Sequence, residues 1–203
     1  MKSKTIFILR HGETDFNKKG MVQGRGVNAS LNSQGIAQAK QAGNHLANVS
    51  FDAVFTSALI RTKETVAQFP LNGTPLVSHE GFDEISWGNQ EGQVASYDAK
   101  TLYADTVKGW RRGDLHLNVG GGESPLQVME RQKEAMRIVV ENEGENMLIC
   151  MHGRALRVLL CWTLNYPLNY MDGFPHQNCG YYVLGYRNES YYLKDFNQVD
   201  HLR

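Results

Sequence analysis

Arg10, His11 and Gly12 follow directly on an apolar run, Thr5 to Leu9, so a short buried strand ends in a cation, an imidazole and a glycine. Side chains alternate between faces along a strand, and neighbours serve one site only where the backbone leaves strand geometry. Gly12 supplies that break. An imidazole beside a guanidinium suits attack on phosphorus: the ring nitrogen is the nucleophile and the guanidinium fork holds the phosphoryl oxygens. The pattern recurs. Met147 to Met151 is a second apolar run, followed by His152, Gly153 and a helix-like stretch from Arg154 to Leu164. Asp52 to Phe55 reads as a third strand, with Ser57 placed to cap the next helix and Arg61 in that helix's first turn. Ligands of open α/β sheets lie outside the carboxyl ends of the strands, where helix N-termini favour anions. The three junctions therefore predict two imidazoles and two guanidiniums around one crevice.

A proton donor for a leaving oxygen is available in the acidic pair Asp83 and Glu84, which Phe82 and Ile85 flank with apolar surface. The residues alone do not choose between the two carboxyls. Gly88, Glu91 and Gly92 read as turn formers with a structural carboxylate. Rival chemistries fail on the letters. A cysteine phosphatase needs an arginine six residues beyond its cysteine, where Leu156 follows Cys150 and Pro167 follows Cys161. There is no Gly-x-Ser-x-Gly elbow, Walker A loop or His-Glu-x-x-His zinc motif. Gly24, Gly26 and Ala29 spell a dinucleotide-like pattern, but the polar segment before them is not a strand. His45, His79, His116, His176 and His201 lack paired ligand spacing and are assigned surface or core roles.

Five ordered blocks, Leu9–Thr14 (LRHGET), Thr56–Thr62 (TSALIRT), Phe82–Gly92 (FDEISWGNQEG), Gly121–Ser124 (GGES) and Met151–Gly153, carry a resemblance that spans most of the chain. The sequence resembles the histidine phosphatase superfamily, branch 1, the phosphoglycerate mutase-like family. The resemblance implies that His11 is phosphorylated, that Arg10, Arg61 and His152 bind the phosphoryl group, and that Glu84 protonates the leaving oxygen. It also marks Asn17, Gln23 and Gly153 as substrate-binding positions. The implied substrate is a small phosphorylated metabolite, handled without metal or organic cofactor. Two other readings are compatible with this core. One is a bisphosphoglycerate-dependent mutase, whose second anionic group would fall to Lys100, Lys108, Arg111 and Arg112; the other is a non-catalytic relative that binds phosphorylated ligands. Only 29 residues, 93 to 121, separate Gly92 from Gly122. A mutase usually has a longer stretch there, so Trp110 and Arg111 read as a substrate lid.

The elements needed to position these residues are also legible. A helix near Ser33 to Ala47 places Ile36, Ala39, Gly43 and Leu46 on one face. Another spans about Ala58 to Phe69, with a short strand near Leu76 to Ser78. Residues 93–119 read as helix plus irregular loop. Ser124, Pro125 and Gln127 form a helix start with a capping box, and Gly144 is the stop. Gly180 to Tyr186 and Tyr191 to Asp195 read as an antiparallel pair. The expected fold is a three-layer α/β/α sandwich, mostly parallel with an antiparallel edge strand, formed by residues 1–203 as one domain. Lys plus Arg and Asp plus Glu each number 21 in 203 residues, which gives no global basicity for nucleic acid or an anionic membrane. The N-terminal apolar run is too short for a signal peptide and no segment spans a bilayer, so a cytoplasmic location is expected. Cys150, Cys161 and Cys179 then read as buried reduced thiols.

Overall fold

The computed structural model describes residues 3–94 and 96–203. In chain order the elements are β1 (Ser3–Arg10), α1 (Asp15–Lys18), α2 (Ser33–His45), β2 (Ala53–Thr56), α3 (Ile60–Val66), β3 (Leu76–Ser78), α4 (Tyr97–Arg112), α5 (Pro125–Glu141), β4 (Asn146–Met151), α6 (Gly153–Thr163), β5 (Tyr181–Arg187) and β6 (Ser190–Gln198). The six strands form one sheet in the order β3-β2-β4-β1-β5-β6. β3, β2, β4 and β1 run parallel, and β5 runs against both its neighbours. The reversed strand is thus one place in from the edge, with β6 outermost. Its hairpin partner needs only a two-residue turn, Asn188 and Glu189, both at positive φ.

Strand alternation divides the core into two layers. Ile6, Ile8, Phe55, Met147, Ile149 and Met151 face one cluster shared with α5 and α6. Leu9, Val54, Leu148, Cys150 and Val183 face the other, against α2 and α3. The result is the three-layer sandwich. α5 begins as the sequence specifies: Ser124 Oγ accepts from the Gln127 amide, the Gln127 side chain accepts from the Ser124 amide, and Pro125 takes the first helical position. The three cysteines are free and buried. Among the described residues no helix is long and apolar enough to cross a membrane.

Four details depart from the sequence reading. α2 ends at His45, and Ile36 is 38% exposed, because the buried stripe consists of Gly35, Ala39, Ala42 and Gly43. α3 starts at Ile60, after Leu59 rather than after Ser57. α5 stops at Glu141, and Gly144 lies in the turn to β4, where the Lys4 ammonium donates to its carbonyl. Trp110 is 1% exposed, with its indole N–H donating to Leu117 O (2.9 Å), so it is a packed aromatic and not a lid.

Candidate active site

Sheet register brings the three strand ends level. Arg10 pairs with Met151 and Thr56 with Cys150. One residue on, the His11 amide donates to Met151 O (3.0 Å) and the Ser57 amide to Cys150 O (3.3 Å). The His11 and His152 rings consequently lie 5.1 Å apart, in the single crevice the junctions predict. Gly12 is required for a different reason from the backbone break. A Cβ there would sit 2.5 Å from Gly35 O, so the turn after His11 and the start of α2 approach backbone to backbone. The Gly12 amide donates to Thr65 Oγ1 (3.0 Å), and that hydroxyl donates to Arg61 O (2.7 Å), which ties the end of β1 to α3.

The hydrogen bonds fix the tautomers of both imidazoles. His11 Nδ1 lies 2.7 Å from Gly12 O, which can only accept, so Nδ1 carries the proton and Nε2 keeps its lone pair. Burial first, then Arg61 and Arg10, push the His11 pKa well below its ordinary value and keep the ring neutral. His152 Nδ1 accepts from Arg61 Nε (3.1 Å), so its proton is on Nε2, 2.8 Å from Ser57 Oγ. Burial, Arg61 and His11 lower its pKa in the same direction. Ser57 therefore orients an imidazole; its Oγ also accepts from the Leu59 amide (3.1 Å).

Arg61 is completely buried at the second position of α3. Its Nη1 donates to Val27 O (2.6 Å) and its Nη2 to Gly24 O (3.3 Å). Burial pulls its pKa down to about 10, which leaves it charged at neutral pH. With its amide nitrogen on Thr14 Oγ1 (2.7 Å), Gln23 offers its oxygen to Arg61 Nη1 and Nε at 3.2 and 3.3 Å. Arg10 donates from Nη1 to His176 Nδ1 (3.1 Å), while its Nε is buried without a hydrogen-bond partner.

The acidic pair divides cleanly. Asp83 accepts from the Ala58 amide (2.8 Å) and pairs with Arg25 Nε (3.3 Å), holding the loop after β2. Glu84 turns to the N-terminus of α6, where Oε1 accepts from the Ala155 amide (2.8 Å) and Oε2 from the Arg154 amide (3.1 Å). The Ile85 amide also donates to Oε1 (3.0 Å), which leaves one open lone-pair site, on Oε2. The Glu84 charge favours the charged forms of both Arg10 and Arg61.

His11, Arg10, Arg61, His152, Glu84 and Gln23 thus converge. Asn17 is one step removed: its Oδ1 accepts from the Thr14 amide (3.2 Å) and from Asn178 Nδ2 (3.3 Å), in the capping box of α1. Gly153 is the first residue of α6, where a Cβ would lie 2.6 Å from His176 Cε1. Glu91 is structural, accepting from the Trp87 amide (2.7 Å) and the Gly26 amide (2.6 Å); its side chain fills the space beside Gly24 and Gly26. Sequence reasoning missed His176 and Asn178, the latter donating to His11 O (2.9 Å). Both come from the irregular segment before β5, which has no periodicity to place it. It also missed Asp172, which binds Arg154 (2.7 Å), Arg157 (3.2 Å) and Arg111 (3.0 Å).

Comparison with known proteins identifies the family. The model of the histidine phosphatase superfamily (branch 1) matches residues 6–199, and the chain belongs to that family. A 2,3-bisphosphoglycerate-dependent phosphoglycerate mutase of Parvibaculum lavamentivorans is 30% identical over 167 residues, 76% of this chain and 77% of that protein. A 2-carboxy-D-arabinitol-1-phosphatase of Triticum aestivum is 24% identical over 186 residues, 91% of this chain but 37% of the plant protein. The chain spans less than half the length of the plant relatives it matches. The solved structure of Bacillus stearothermophilus YhfR superposes with a TM-score of 0.85 at 26% identity, covering 98% of this chain and 100% of that one.

Proposed function

We propose that the protein is a phosphatase that hydrolyses a small phosphomonoester through a phosphohistidine on His11. The observation that carries this reading is the His11 tautomer: Nδ1 is held as a donor to Gly12 O, so a neutral Nε2 lone pair faces a pocket containing two guanidiniums. In the first step the Nε2–P bond forms and the P–O ester bond breaks. Glu84, protonated on Oε2, gives its proton to the departing alcohol. In the second step water attacks phosphorus, loses a proton to Glu84, and releases inorganic phosphate as the N–P bond breaks. Arg10 and Arg61 stabilise the charge on the transferred oxygens, and His152 joins them by turning its Nε2–H from Ser57 Oγ to a phosphoryl oxygen. The phosphoryl dianion brings negative charge to the two guanidiniums. Asn17 and Gly153 act through the loop and the helix terminus that hold these groups, and the scheme uses no metal or organic cofactor.

Family relationship to phosphoglycerate mutases keeps phosphoryl transfer back to a second hydroxyl as the other reading. Against it, Lys108 pairs with Asp105 (3.1 Å) and Arg111 with Asp172, so two of the four cations suited to a second anion are engaged. A non-catalytic role is disfavoured because every position needed for turnover is filled. The deciding experiment is phosphate release from a metabolite panel with mutase activity assayed alongside. A quenched turnover should contain an acid-labile, alkali-stable phosphoryl adduct on His11. An acid-stable adduct, or one on another residue, would remove the mechanism.

A further inference from the structure

Beside the phosphoryl pocket lies a cavity of about 370 Å³ whose wall is mostly apolar: Met21, Val22, Trp87, Tyr103 and Val119. Gln23, Gln90 and Lys100 are its polar side chains. Two wall residues connect it to the chemistry. Gln23 is the residue whose amide meets Arg61, and the Tyr103 hydroxyl accepts from Arg154 Nη2 (2.9 Å), whose backbone amide holds Glu84. Trp87 lies three residues beyond Glu84 and meets Tyr103 at 5.4 Å between ring centroids, making an aromatic corner.

Arg154, which meets Tyr103, and its neighbour on α6 Arg157 are committed to the protein itself. Arg154 donates to Asp172 and Tyr103 and lies over the Trp110 ring at 5.4 Å. Arg157 donates to Phe174 O (2.8 Å) and Asp172. A leaving group in this cavity meets mostly rings and aliphatic side chains, with Lys100 the one cationic side chain on its wall. Volume of this size is enough for a ligand group larger than a three-carbon acid.

Building on the phosphatase reading, we propose that this cavity is the leaving-group subsite and that it selects phosphomonoesters whose alcohol carries an aryl or comparably bulky apolar group. Small polyanionic alcohols fit it poorly, because they would leave the apolar wall wet. Offset stacking on Trp87 and Tyr103 would favour a ring in particular.

The test must separate apolar contact from leaving-group reactivity, so the pair is phenethyl phosphate and ethyl phosphate, alcohols of similar basicity. Burying one phenyl ring predicts a kcat/KM about 10- to 100-fold higher for the phenethyl ester. The same ratio should appear in the Kd values of phenylpropyl and propyl phosphonate, in which a methylene replaces the bridging oxygen and hydrolysis is impossible. Ala99, on α4, also lines the cavity, and Ala99→Trp should fill it and bring both ratios towards one. Phosphonate ratios near one in the wild-type protein, or ratios that survive in a folded Ala99→Trp protein, overturn the subsite. Turnover of neither ester with the phosphonate ratio intact would instead remove the hydrolytic reading and keep the subsite.

Discussion

The phosphoryl pocket and the cavity beside it are made in opposite ways. The pocket is assembled from the ends of β1, β2 and β4, and nearly every polar atom in it is held by another: Gly12 O on His11, Ser57 on His152, two loop carbonyls on Arg61, three amides on Glu84. The cavity is bounded by the 20–23 loop, Trp87 and α4, and its wall is mostly apolar side chains. In-line displacement at phosphorus tolerates little misplacement, so its groups belong on strand ends that register fixes to within a residue. Recognition of the alcohol is a matter of shape and apolar area, which a helix and a loop can supply and vary. One molecule thereby separates a constant reaction from an adjustable specificity.

The most severe way to break this division is to remove the nucleophile. His11→Ala should lower turnover by about four orders of magnitude or more on every substrate, as is usual when a covalent catalyst is deleted. If hydrolysis persists near the wild-type rate, the pocket is not where the chemistry occurs. Arg61→Ala comes next, with a loss of about 10²- to 10³-fold for alkyl and aryl esters alike, because the transferred oxygens are common to both. Glu84→Gln sharpens the boundary between the two regions. It should slow an alkyl phosphate about 10²-fold or more, yet an aryl phosphate with a weakly basic leaving oxygen far less. Gln keeps one acceptor oxygen but not two, so thermal stability must be measured as well, and the aryl substrate serves as the internal control. Equal losses on both esters in a folded protein would move the acid role elsewhere.

A smaller, graded effect concerns pH. Burial depresses the pKa values of His11, His152 and His176, the last to about 3. The unfolded chain takes up protons at these rings near pH 6.5, whereas the folded chain does not. Their effect on stability is therefore nil above about pH 6.5 and unfavourable below it, growing by about 1.4 kcal/mol per pH unit for each ring until its folded pKa is reached. Urea unfolding midpoints should fall steadily from pH 7 to pH 5, and saturating inorganic phosphate should flatten the slope by favouring protonated rings. A flat profile without phosphate would contradict the buried neutral imidazoles. The smallest expected effect is that of a chelator: excess EDTA should leave the rate unchanged, since guanidiniums and imidazoles already meet the phosphoryl charge. Loss of activity restored by a divalent ion would overturn that.

The strand ends were legible because short apolar runs closed by Arg-His-Gly and His-Gly leave few alternatives, and because a parallel sheet gathers such junctions at one edge. Ser124, Pro125 and Gln127 were legible for a local reason: a capping box is written in four consecutive residues. The sequence by itself determined the α/β order, the two imidazoles and two guanidiniums of one crevice, and the start of α5. The resemblance named Glu84 rather than Asp83, and the tertiary structure added what the adjacent carboxyls face: Arg25 and the Ala58 amide in one case, the first turn of α6 in the other. Only the tertiary structure brought His176 and Asn178 to Arg10 and the His11 carbonyl across more than 160 residues of chain. It also placed Trp110 in the core and left the neighbouring cavity to Trp87 and Tyr103. Local patterns encode how a segment begins, ends and repeats; which side chains meet across the sheet is set by packing, and no single segment contains that information.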